Sequence, residues 1–141
     1  MNHTILSARI RKIKEDFLTH DFIKITENWG LSDSEASQLS CLDSSNDFNL
    51  WKNGAFAGLN ERVCNRLFDV LKIDEELKGY LAGENSQNVW LRTGLNVAAP
   101  CSSTDTFFGK PPLEHLFSEN PLSTTHILER LEFRKRIART S

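Results

Sequence analysis

Apolar residues along the chain recur at helical spacing, and no segment sustains the alternation of a strand. Leu6, Ile10, Ile13 and Phe17 form the stripe of a first helix, which Ile25 and Trp29 extend after a polar break. Arg9, Arg11, Lys12 and Lys14 occupy its opposite face, and Gly30 ends the region. Ser32-Asp33-Ser34-Glu35 reads as a capping box: the serine oxygen accepts from the Glu35 amide, and the Glu35 side chain reaches back. The helix it starts turns Ala36 and Leu39 inward and stops near Cys41 or Leu42. Ser44 or Asp43 caps the next helix, whose buried side is Phe48 and Trp51 and whose stop is Gly54.

The strongest stripe is Leu59, Val63, Leu67, Val70, Leu71 and Leu77, with a bend expected near Ile73-Asp74 and Gly83 closing the helix. Asp74, Glu75 and Glu76 are consecutive and diverge around the helix, so a solvated face is expected of them rather than a catalytic pair. Ser86 to Thr93 is a further short helix carrying Val89 and Trp90. Residues 94–110 hold two glycines, a proline and a Ser/Thr/Asp cluster, and read as a long loop. Pro111-Pro112 then opens a helix through Phe117, with Leu113 and Leu116 inward. Ser123 or Thr124 caps the last helix, whose core face is Ile127, Leu128, Leu131 and Ile137. The pattern predicts an all-α fold in three stretches: an N-terminal unit (1–58), a linking helix (59–83) and a small helical C-terminal unit (84–141).

Composition changes this picture little. The 141 residues suit one domain, or two small ones sharing a core. A formal charge of −2 excludes a polyelectrolyte binder, so any nucleic-acid affinity has to come from a local patch. The charged, amphipathic start lacks the apolar run of a signal peptide, and no stretch reaches 18 apolar residues. With three scattered cysteines, this points to reduced thiols and a cytoplasmic setting. Cys41 and Cys64 fall on apolar helix faces. The four histidines, His3, His20, His115 and His126, show no ligand spacing with one another or with the cysteines. Neither a phosphate-cradling loop nor a nucleophile elbow is present, so no catalytic residue, metal or cofactor is expected, and no enzymatic activity.

Ser32 to Gly54 has the outline of a helix-turn-helix, and equally of a plain three-helix core. As a DNA reader its donors would be Ser44, Ser45, Asn46, Asn49 and Lys52. Asp43 and Asp47 would repel phosphate, and positions 21–70 hold four cations against eight acids. Counterion release from such a unit would be small.

The second half carries a more specific signal. The stretches NVWLRTGLN and FGKPPLEHL resemble the C-terminal domain of Xre/MbcA/ParS-like antitoxins, the partners of RES-domain toxins. Trp90-Leu91-Arg92-Thr93, Asn96, Phe108-Gly109 and Pro112-Leu113 match that family's boxes. In the first half, WGLSDSEASQLSCL and LWKNG resemble its Xre-type helix-turn-helix, and LNERVCNRLFDVLKI its linking helix. The chain departs from the pattern at Lys110, where a second glycine is usual, and in a longer connection from Asn96 to Phe108. It departs again at Cys41, where glycine is common, and at Asn49-Leu50, where basic residues are usual.

The resemblance implies a homodimeric antitoxin that holds a cognate RES-like toxin with its C-terminal domain and blocks an NAD-consuming pocket. It implies operator DNA as a second partner; the alternative is a stand-alone helix-turn-helix regulator without a toxin. Toxin contacts would then involve Trp90, Arg92, Asn96, Lys110, Arg134, Lys135, Arg136 and Arg139. Several of these have a plainer reading. Trp90 on a short amphipathic helix suits a core anchor, and Arg92 suits bonds to carbonyls of the following loop. Gly109 supplies a positive φ. The basic tail either lies across an oxyanion-binding pocket or is a solvated helix end whose cations complement the dipole. On either reading its removal from residue 134 onward is expected to spare the fold.

Overall fold

In a computed structural model the helical expectation holds. The structure describes residues 3–42, 45–54, 60–99, 103–118 and 120–140, with the side chains of 3–15, 45, 139 and 140 left undescribed. Seven helices follow in order among the described residues: α1 (His3–Asn28), α2 (Asp33–Ser40), α3 (Ser45–Lys52), α4 (Glu61–Tyr80), α5 (Glu84–Thr93), α6 (Pro112–Phe117) and α7 (Ser123–Thr140).

α1 runs unbroken through the polar positions at which a break was expected. Its buried stripe is Leu18, Phe22, Ile25 and Trp29, spaced by four, three and four, which keeps one face toward α4. Phe17 lies one position off this stripe and is exposed, contrary to its expected inward place. Leu6, Ile10 and Ile13 lie in the stretch whose side chains are undescribed. Gly30 takes φ 68° and turns the chain into α2. There the capping box is complete, with Glu35 N–H donating to Ser32 Oγ at 3.1 Å and Ser32 N–H to Glu35 Oε1 at 3.0 Å. Cys41 ends α2 in the left-handed conformation (φ 63°), which explains why glycine suits this position. Both Cys41 and Cys64 are half-buried rather than core. Asp43 and Ser44, and the start of the next stripe at Leu59, lie outside the described residues.

α3 buries Phe48 and Trp51 against Phe22 in a three-ring, largely edge-on cluster. α4 is one continuous helix, capped by Asn60 and closed at Leu81 rather than Gly83. It packs along both α1 and α7, and α2 packs on α6, so the core runs without interruption through the N-terminal, linking and C-terminal stretches. Two polar side chains of α4 fasten this arrangement. Arg66 donates to the carbonyls of Leu39 (2.8 Å) and Leu116 (2.5 Å) and to Ser123 Oγ (3.1 Å), joining α2, α6 and α7 with one guanidinium. Asp74 is buried, not solvated: Trp29 Nε1 donates to it at 3.1 Å and Lys78 at 2.8 Å. Ser123 and Thr124 sit inside the first turn of α7, where their hydroxyls meet Arg66 and Asp69 instead of capping.

Candidate interaction surface

The C-terminal unit is assembled around one carboxylate that sequence reasoning passed over. Asp105 is 1% exposed. Trp90 Nε1 donates to its Oδ2 at 2.9 Å, Arg130 to its Oδ1 at 2.9 Å, and Arg134 to its Oδ1 at 2.7 Å. With Arg134 donating through Nε as well, at 3.1 Å, three side chains offset the cost of burying this carboxylate. Burial pushes the Asp105 carboxyl up, but the bonds from Arg134, Trp90 and Arg130 outweigh that and hold it below its ordinary range. The same residue's amide donates to the Gly94 carbonyl at 2.9 Å. Gly94 must be glycine here: its φ is 80°, and a Cβ would run into the Asp105 backbone.

Trp90 is therefore scaffold. It is fully buried, its indole N–H is satisfied by Asp105, and its ring meets Tyr80 edge-on, so it offers no surface to a partner. Arg92 does not hold the following loop. It reaches back to Glu35, at 2.7 Å, and to the Gly30 carbonyl at 3.3 Å, tying α5 to the capping box of α2. That bond is the main cause of the lowered Glu35 carboxyl. Asn96 is half-buried; its amide donates to the Tyr80 hydroxyl at 3.1 Å and its carbonyl accepts from Ala98 N–H.

The basic tail is largely neutralised within the chain. Arg134 is bound to Asp105, Lys135 reaches Glu76 at 2.8 Å, and Arg136 pairs with Glu132 one turn back at 3.1 Å. Arg134 and Lys135 are thus tied into the fold by ion pairs with Asp105 and Glu76. Arg136 and Lys110 are exposed, and the Arg139 side chain lies outside the description.

Phe107 and Lys110 pair across a tight turn, amide to carbonyl in both directions at 2.8 and 3.0 Å. Gly109 takes φ 81°, as expected, and Phe108 is forced to φ 53°. A bulky residue at positive φ is strained, and this one is also 81% exposed. Phe133, on α7, lines the same shallow depression as Phe108, together with Thr106 and His126. Ile137, expected on the core face of α7, instead lies one turn on from Phe133, and both are about half exposed. Beneath Phe108 lies a contact the spacing concealed: His115 and His126 stack with ring centroids 5.2 Å apart.

In the N-terminal unit, Asn46 and Asn49 are exposed on α3. Lys52, the one cation of α3, is held at 3.1 Å by Asp33 of α2 and lies 5.8 Å over the Phe48 ring. Ser44, and the side chain of Ser45, lie outside the description. Among the described residues there is no cluster of three or more groups able to hold a metal, and no helix long and apolar enough to cross a membrane. The chain matches no family model, no curated protein and no solved structure.

Proposed function

We propose that this chain is the antitoxin of a toxin–antitoxin pair, docking its C-terminal unit on a RES-type, NAD-consuming toxin in the cytoplasm and acting by binding alone. The observation that carries this reading is the Phe108–Phe133–Ile137 strip. Large apolar side chains stand exposed on the frame that also holds the Trp-Leu-Arg-Thr box and the Pro-Pro-Leu helix. Exposed apolar groups grouped on a rigid support mark contact surfaces, and aromatic anchors contribute most to such contacts. The frame is rigid because Asp105 joins α5, α7 and the intervening loop.

On this reading the toxin meets Phe108, Phe133, Lys110 and Arg136, while Trp90, Arg92, Asn96, Arg134 and Lys135 hold the frame. A homodimer and operator binding through α2 and α3 belong to the same proposal. Among the described side chains of α3, the pairing of Lys52 with Asp33 leaves exposed amides as donors, so DNA contact is the secondary activity. Co-expression with the protein encoded by the neighbouring reading frame, expected to be a RES-type toxin, tests the proposal. Cell growth and NAD level should recover when both are made; continued NAD loss with both proteins present would refute it.

A further inference from the structure

The Phe107–Lys110 turn rests on a column of stacked rings. Arg130 lies 4.9 Å over Phe107; Phe107 stacks on His115 at 5.2 Å with rings 7° apart; His115 stacks on His126. Phe108 folds over both imidazoles, at 5.7 and 5.9 Å. His115 Nε2 and His126 Nδ1 are 3.0 Å apart, a hydrogen bond in which one ring donates and the other accepts. His115 is 2% exposed.

We propose that the His115–His126 pair is a proton-operated latch on the Phe107–Lys110 turn, closed while the pair keeps an acceptor nitrogen and opened by acid when both rings are charged. With one proton added the bond survives, because an imidazolium still donates to a neutral ring. With two, N–H faces N–H at 3.0 Å and like charges are stacked inside the fold. The surroundings set the opening point. Lys110 from the turn and Arg130 from α7 oppose positive charge on the pair. Glu129 lines the same depression, and Glu114 is the exposed neighbour of His115 on α6; both favour it. The other elements packed on α6 bring charges already engaged: the Glu35–Arg92 pair from α2 and α5, and Arg66 from α4. Burial, with His126 and Lys110, holds the His115 ring below its ordinary value, so the second proton arrives only under acid conditions. Opening releases the support under Phe108 and re-aims the most exposed aromatic side chain on this surface.

The latch is tested on the isolated chain, so its failure is independent of any partner. Histidine ring titrations and amide hydrogen exchange are followed by NMR from about pH 7.5 to about pH 5. Protection of the Phe107 and Lys110 amides, corrected for intrinsic exchange, should fall at least about tenfold as the second histidine protonates, while α4 amides stay protected. His126→Asn keeps a short polar side chain without the second charge and should abolish the pH dependence. If that variant does not fold, the wild-type titration decides alone. Protection of the turn unchanged through titration of both rings, or a folded His126→Asn chain that opens at the wild-type pH, overturns the proposal.

Discussion

The Trp90 indole N–H and the Asp105 carboxylate meet across 2.9 Å in the interior, although one lies on a helix and the other in a loop fifteen residues on. Arg130 and Arg134 bind the same carboxylate, so its removal leaves two guanidinium groups and an indole without their acceptor. Asp105→Ala should destabilise the chain by about 3–5 kcal/mol, the range for breaking a buried charge pair. Trp90→Phe, which removes one donor and leaves the arginines, should cost less, about 1–3 kcal/mol. Urea unfolding of the two variants measures the difference; equal losses would mean that Asp105 acts only through Trp90.

Gly94 makes a complementary prediction. Ala at this position combines a positive φ with a collision against the Asp105 backbone. Gly94→Ala should therefore cost more than about 1 kcal/mol in the same assay. Gly83→Ala, also at positive φ but facing open space, is the control for conformation alone and should cost less.

Truncation after Phe133 removes the Arg134–Asp105 and Lys135–Glu76 pairs together. The shortened chain should remain helical but unfold at a lower urea concentration, with the 103–110 segment exchanging its amides fastest. A truncated chain of wild-type stability would show that Arg130 suffices to hold Asp105.

Stability should fall with acid in two steps. His115 is held below its ordinary value of 6.5 by burial and then by His126 and Lys110. The unfolded chain therefore takes up this proton first, and the contribution is present above about pH 6.5 and lost as the pH drops through the folded value. Glu35 is lowered chiefly by its bond from Arg92. Asp105 is lowered because its bonds from Arg134, Trp90 and Arg130 exceed the opposing effect of burial. Both carry the same sign, and their contributions fade below ordinary values of 4.5 and 3.8. Urea midpoints across about pH 8 to pH 3 check this; midpoints that rise on acidification would reverse it.

Local signals were legible in the sequence. The Ser32–Glu35 box, the Phe48 and Trp51 face, the glycine at 109 and the proline start of α6 each depend on neighbours a few residues away. What lay hidden was long-range. Asp105 sits in a Ser/Thr-rich loop, and its donors stand 15, 25 and 29 residues distant. His115 and His126 belong to separate helices, so neither periodicity nor ligand spacing pairs them. The tail cations read as free because Glu76 and Asp105 come to them only in the folded chain. Phe17 was misplaced because the buried stripe of α1 runs through its neighbour Leu18, and helical spacing admits either register.

On the proposed function, the strip headed by Phe108 receives a protein partner. Calorimetry of the purified chain with the proposed RES-type toxin partner tests this, comparing wild type with Phe108→Asp. Phe108 is exposed, so the variant should still fold, as its urea midpoint checks, while association weakens at least about thirtyfold, as expected for an anchor contributing about 2 kcal/mol or more. No heat of binding with wild type, or equal affinity for both chains, would contradict the account.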